Sequence, residues 1–248
     1  MRLPSGYEAG VVAGTMFVAR QGLGDFVRGA IESDGSLSAF AAAHAVESRE
    51  GRGPVHVIDS PRTRLAVRHY RRGGVIAPML GDRYVRIGEP RPFHELWINA
   101  IGRARGIPTP AVAAAVVHPA GIFYRGDLAT DYIPDAATLA DVTFGEARLD
   151  AEARRNAWWA AGRLVRATAL AGLVHADLNL RNVLVAMRSG RPHTYLLDLD
   201  RCRIAGRVSA RELNRMKTRI RQSASKLEER TGDTIGAEFD AFEEGASG

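Results

Sequence analysis

Residues 173–201 read LVHADLNLRNVLVAMRSGRPHTYLLDLDR, and the fold is read outward from them. His175 is followed two positions on by Asp177, and Asn182 stands five positions after that. Two short apolar runs follow, Val183–Met187 and Tyr195–Leu197, on either side of Arg188-Ser189-Gly190-Arg191-Pro192. Apolar runs split by a glycine- and proline-bearing turn predict a β-hairpin. Its second strand delivers Asp198. Two carboxylates and one carboxamide therefore converge from a loop and a hairpin end.

That set suits phosphoryl transfer, which needs one carboxylate near the attacking hydroxyl and an Asn and an Asp to hold magnesium on nucleotide phosphates. The spacing His175-x-Asp177-x-x-x-x-Asn182 is the catalytic-loop pattern of kinases, with Asp198 in the place of the Asp-Phe-Gly acid. The competing reading is a polar turn with solvated acids. One such residue alone would favour it; four in order, joined to two strands, favour the kinase-like site.

Length and composition set the bounds. A chain of 248 residues, 46% apolar and with one cysteine, describes a globular protein of one domain or two joined lobes, without a disulfide framework. No apolar run approaches the ~18 residues of a membrane span. Val11–Ala19 follows Glu8 and precedes no cleavage site, so no signal peptide is expected. Of 34 basic residues only Lys217 and Lys226 are lysine, and the net charge is +6. Such a surface suits nucleic acid, nucleotide phosphates or an acidic membrane face. The basic residues are dispersed and no nucleic-acid motif appears, so no nucleic-acid partner is expected.

Upstream, residues 1–48 form an extension with a packing role: a strand within Tyr7–Ala19, then a helix over Leu37–Val46 capped by Ser36. Gly51-Arg52-Gly53 precedes a strand at Val55–Ile58, a turn at Asp59–Arg64 and a strand at Leu65–Arg68. Glycines there let backbone amides cover a phosphate. Arg68 ends its strand where kinases carry a phosphate-contacting lysine. Arg71 and Arg72 are candidates for gripping an anionic acceptor, as are Asn179 and Arg181 in the loop. Apolar residues at helical spacing predict a helix over Pro92–Arg105, with Glu95 placed to pair with Arg68. Strands follow at Ala113–Val117 and Ile122–Tyr124, and Leu128–Ile133 leads into Pro134. That is the natural hinge between lobes, with backbone recognition of adenine at Asp131 and Ile133. A long helix over Ala153–Ala171 supports the loop, Trp158 and Trp159 being core or packing residues. A basic helix spans Ala210–Arg230, and residues 241–248 are a disordered tail.

The run LAVRHYRRGG at Leu65–Gly74, with GRG upstream and HADLNLRN and LLDLDRCRI downstream, resembles 3-deoxy-D-manno-octulosonic acid (Kdo) kinases of the lipopolysaccharide kinase family, over about residues 49–204. The resemblance implies an α+β, protein-kinase-like fold with an N-lobe over 49–133 and a reduced, mostly helical C-lobe over 134–240. It implies ATP and Mg2+ as cofactors and phosphorylation of a Kdo hydroxyl on a lipid-linked acceptor. It further implies docking at an anionic membrane surface, on the cytoplasmic face of the inner membrane. Asp177 would orient the acceptor hydroxyl, Asn182 and Asp198 would hold magnesium, and His175 would brace the loop. Asp200 stands where the glycine of Asp-Phe-Gly would be. Other small-molecule or atypical protein kinases share the loop motif. A catalytically dead scaffold is disfavoured because Asp177, Asn182 and Asp198 are all present.

Overall fold

The computed structural model describes residues 3–49, 53–71 and 81–247. The chain divides into two compact units, Met1–Ala100 with Ala111–Tyr132, and Ile101–Pro110 with Ile133–Gly248. The second therefore takes in an earlier loop that the division at residue 133 did not foresee.

The first unit is built on one antiparallel sheet of β1 (Tyr7–Val12), β2 (Thr15–Arg20), β3 (Glu47–Arg49), β4 (Val55–Asp59), β5 (Arg64–His69), β6 (Tyr84–Val85), β7 (Val112–Ala120) and β8 (Phe123–Asp131). Their order is β1-β2-β7-β8-β5-β4-β3, with β6 beside β8. Residues 3–48 are not a separate extension. Ala13 and Gly14 both take left-handed backbone, φ 47° and 80°, and turn the expected single strand into a hairpin. Its second arm pairs with β7. Helices α1 (Gly24–Asp34) and α2 (Leu37–Ala43) then pack Val27, Ile31 and Leu37 onto Phe17, Leu65, Val67 and Val116. The Ser36 hydroxyl caps α2 by accepting from the Ala39 N–H. The opposite face buries Val18, Tyr70, Val117 and Leu128 with Phe93 and Leu96 of α3 (Arg91–Ala104). With both faces covered, β7 is apolar and buried from Val112 to Val117.

An ionic chain runs under α2. Asp127, fully buried, receives His69 Nδ1 on Oδ1 at 2.6 Å; its Oδ2 takes His118 Nε2 at 3.0 Å and the Ser38 N–H at 3.1 Å. His69 sets its other nitrogen 2.9 Å from Asp82, whose second oxygen takes Arg125 Nε at 3.0 Å. The hydrogen bond to Asp127 holds the His69 pKa above its ordinary value, against burial. Burial pushes Asp127 up, but its histidine partners outweigh this and hold it below the usual carboxylate range.

The second unit carries α4 (Leu139–Phe144), α5 (Ala151–Leu170), α6 (Ala210–Thr231) and α7 (Gly236–Ser247). Its strands are β9 (Ala136–Thr138), β10 (Leu173–His175), β11 (Val183–Arg188), β12 (Arg191–Leu196) and β13 (Cys202–Ile204). Helix α5 starts at Asp150, which accepts the Ala153 N–H at 2.8 Å; α6 starts on a Ser209–Glu212 capping box. The predicted hairpin forms as β11–β12, turning on Ser189 and Gly190 at φ 49° and 73°. Pro192 thus falls within a strand, which is tolerated because β12 is an edge.

Residues 241–247 are not a disordered tail. Through Ser247 they belong to α7, with Ala241, Phe242, Gly245 and Ala246 buried. Two glycines allow its close approach to α5: a Cβ on Gly162 would overlap the Phe242 carbonyl and lie 2.8 Å from Ala246 N, and one on Gly245 would lie 3.2 Å from Arg163 N. Trp158 is buried in this unit and donates Nε1–H to Thr143 at 3.0 Å. Trp159, expected to be a packing residue, is 38% exposed.

The helix contact and the ionic chain can each be tested. Gly162→Ala should destabilise the protein by about 1–3 kcal/mol, as overpacking does, read as a lowered urea midpoint; an unchanged midpoint would mean α7 does not press on α5. For pH, a raised native pKa means that the His69 contribution is complete below ~6.5 and lost as pH rises through the native value. Asp127 has the opposite sign: its contribution is present above ~3.9 and lost as pH falls toward its lowered native value. Urea titrations should show stability falling on the alkaline side of ~6.5, and His69→Gln should flatten that fall.

Candidate active site

In the second unit the geometry starts at His175, 1% exposed at the end of β10. The Asp177 backbone N–H donates to His175 Nδ1 at 3.3 Å, which leaves the ring proton on Nε2 to meet the Leu197 carbonyl at 3.1 Å. One ring thereby ties the loop to the residue before Asp198. The loop is braced again by Asn182, whose Nδ2 donates to the Asp177 carbonyl at 2.9 Å and whose own carbonyl accepts the Leu197 N–H at 2.9 Å. Among the described residues no donor reaches the Asn182 carboxamide oxygen. Asp198 itself sits in the left-handed region at φ 60°, ψ 64°, uncommon for a residue with a side chain and frequent where geometry is imposed by function.

One contributor escaped the sequence reading. Arg219, on α6, donates Nε–H to the Ala176 carbonyl at 2.6 Å and brings a terminal nitrogen to 3.4 Å from Asp177 Oδ1. The next turn of α6 supplies Ser223, whose hydroxyl accepts the Leu180 N–H at 3.3 Å. No local signal marks Arg219, since its partner lies 42 positions away on another element.

In the first unit the expected ion pair forms. Arg68 meets Glu95 at 2.5 Å, with the carboxylate side chain only 5% exposed and the guanidinium 30%. Tyr70 donates its hydroxyl to the same carboxylate oxygen, and Arg68 lies 4.6 Å from the Tyr70 ring centroid. Breaking such a buried pair would leave an uncompensated charge, so α3 and β5 are tied together.

The remaining candidates separate. Gly51, Arg52 and Arg72 lie outside the described residues. Gly53 is overlain by Arg71, whose Cδ would be 3.0 Å from an added Cβ. Asp131 does not present its carboxylate or N–H to a ligand: Arg20 holds both oxygens at 2.7 and 2.9 Å, and the N–H donates to the Ala111 carbonyl at 2.9 Å. Ile133 opens the second unit and is half-buried. Asn179 is likewise turned inward, accepting the Arg181 N–H and donating to the Asp177 carbonyl, each at 2.9 Å, so it braces the loop. Arg181 is exposed and, among the described residues, has no ion-pair partner. Asp200 lies in the 3-10 turn Leu199–Arg201.

Magnesium is bound by one or two carboxylates together with phosphate oxygens, rather than by an all-protein cage. Asn182 and Asp198 fit that donor set, and no cluster of three or more metal-ligating His, Cys, Asp or Glu occurs among the described residues.

The model of the lipopolysaccharide kinase (Kdo/WaaP) family matches residues 40–235. The 3-deoxy-D-manno-octulosonic acid kinase of Photobacterium profundum is 31% identical over 159 residues, covering 63% of this chain and 64% of that protein. The same-named protein of Stenotrophomonas maltophilia is 35% identical over 153 residues, covering 61% and 58%. That of Xanthomonas oryzae pv. oryzae is 32% identical over 194 residues, covering 77% and 74%. The chain thus spans less than two thirds of the length of the first two. A solved structure titled "WaaP in complex with acyl carrier protein" shares the fold, with a TM-score of 0.57 and 14% identity over 93% of this chain and 88% of that one. With 40–235 matched, this chain belongs to the lipopolysaccharide kinase (Kdo/WaaP) family.

Proposed function

We propose that the protein is an ATP-dependent kinase that phosphorylates a hydroxyl of Kdo on a lipid-linked acceptor. The observation that carries the reading is the braced set Asp177, Asn182 and Asp198, joined through His175 and the Leu197 backbone. The names of the relatives supply the acceptor. In this reading Asp177 orients the acceptor hydroxyl and takes its proton, with Arg219 aiming the carboxylate. Asn182 and Asp198 would hold Mg2+, which when bound neutralises charge on the nucleotide phosphates. Arg68, oriented by Glu95 and Tyr70, is the cation this reading assigns to phosphate contact. Arg181, exposed on the loop, is a candidate for the acceptor's anionic groups.

A lipid-linked acceptor calls for a membrane-facing surface, and no helix among the described residues is long and apolar enough to cross a membrane. Support for peripheral docking lies on α5. Arg155, Trp159, Arg163, Arg166 and Leu170 recur at helical spacing and are all exposed, Leu170 at 75%. Arg163 sits 5.0 Å from the Trp159 ring centroid, and four of the five line a groove of about 450 Å³, to which Glu244 adds an acid. Basic and aromatic residues on one helix face suit anionic headgroups at the cytoplasmic surface of the inner membrane. The basic stretch of α6 is less free, because Arg219 is turned to the catalytic loop.

Asp177→Asn should lower transfer from ATP to a Kdo-terminated lipid acceptor by roughly 10²–10⁴-fold while nucleotide affinity is retained. Retained transfer in a folded variant would remove Asp177 from the chemistry. Sedimentation with anionic vesicles should capture the wild type at low salt and lose it near 1 M salt, where screening reaches ~3 Å. Arg163→Glu should weaken capture at low salt; capture insensitive to it would place docking on another face.

A further inference from the structure

Successive residues of β5 serve opposite faces of the sheet. Arg68 turns to Glu95 of α3, while His69 turns to Asp127 under α2, on the face that buries Leu65 and Val67. On the His69 face lies a cavity of about 570 Å³, bounded by Ser36, Ser38 and Ala39 of the α2 region and by His56, Arg71 and Arg125. Its two carboxylates are already neutralised. Asp127 is held by His69, His118 and the Ser38 N–H, and Asp82 by His69 and Arg125.

What remains open to a ligand is cationic or a donor. Arg125 uses only Nε toward Asp82, which leaves both terminal amino groups. Arg71 is exposed and, among the described residues, has no hydrogen-bond or ion-pair partner. His56 engages Nδ1 with the Ser48 hydroxyl at 2.8 Å, so Nε2 is left for the cavity. The Ser36 and Ser38 hydroxyls stand 3.3 Å apart at its edge. Counting Arg71, Arg125 and a protonated His69 against Asp82 and Asp127, three cations face two anions.

We propose that this cavity binds an oxyanion, a phosphate or carboxylate group carried by a small polar molecule. Arg71 and Arg125 supply charge-assisted hydrogen bonds, the serine hydroxyls and His56 Nε2 add polar contacts, and the His69–Asp127–His118 chain fixes the floor. A cation is disfavoured, because every carboxylate oxygen in the lining already accepts a hydrogen bond. The volume of about 570 Å³ accommodates more than a bare ion. This goes beyond the kinase reading: the site is on the face of the sheet away from Arg68 and needs neither nucleotide nor magnesium.

The test uses the full chain at fixed ionic strength, titrated calorimetrically with inorganic phosphate, acetate and glucose, while the histidine ring resonances are followed by NMR. Phosphate or acetate should bind saturably, glucose should not, and the stronger anion identifies the class. The His56 and His69 signals should move. Arg71→Ala should weaken anion binding by about tenfold, as loss of a charge-assisted hydrogen bond does. Arg71→Gln provides a second variant should Arg71→Ala fail to fold. Arg68→Ala should leave anion binding intact, which separates this cavity from any phosphate contact of the nucleotide. Absence of saturable binding, equal binding of glucose, indifference to Arg71 replacement, or loss in Arg68→Ala would each overturn the proposal.

Discussion

The buried His175 ring accepts the Asp177 N–H and donates to the Leu197 carbonyl, and the rest of the second unit is arranged to keep it there. The ring can bridge only if β10 and the hairpin strand run past each other at one spacing. Leu173–His175 is held by β13 and the hairpin by β9, so that spacing is set by backbone ladders. Because Nδ1 accepts and Nε2 donates, the bridge requires one neutral tautomer. A protonated ring would lose the Asp177 bond. A proton shuttle is therefore a poor role for His175, and a brace is a good one.

Around that brace the two carboxylates are treated differently. Asp177 is backed by Arg219 and by the Asn182 and Asn179 amides on its carbonyl. Asp198 gains its direction from a left-handed backbone, a conformation the chain holds because Leu197 N–H is pinned to Asn182 on one side and a 3-10 turn follows on the other. In the first unit a similar arrangement recurs: Glu95 is fixed by Arg68 and Tyr70 together, so one buried acid orients the Arg68 guanidinium.

What the sequence revealed was local. Asp177, Asn182 and Asp198 share a loop and one hairpin, and Arg68 and Glu95 end or begin elements whose periodicity is clear. What it hid depends on distant partners. The Arg20 hold on the Asp131 carboxylate joins residues 111 apart. Asn179 was read as an acceptor-binding candidate, and its amide donates to the Asp177 carbonyl. Helix α7 was invisible because its burial rests on Gly162 and Gly245 allowing two backbones to approach, a signal that resembles a flexible tail. The His69–Asp127 contact joins residues 58 apart, and Asp127 is embedded in a strand where an acid reads as a surface residue.

The proposed activity is transfer of a phosphoryl group from ATP to a Kdo hydroxyl. The most direct measurement is a competition in one reaction, with a Kdo-terminated lipid, an aminoglycoside and an unstructured protein substrate present together and the products identified by mass spectrometry. The account predicts one phosphoryl group on Kdo and none on the other two. Phosphorylation of the aminoglycoside or the protein in preference to Kdo would contradict it.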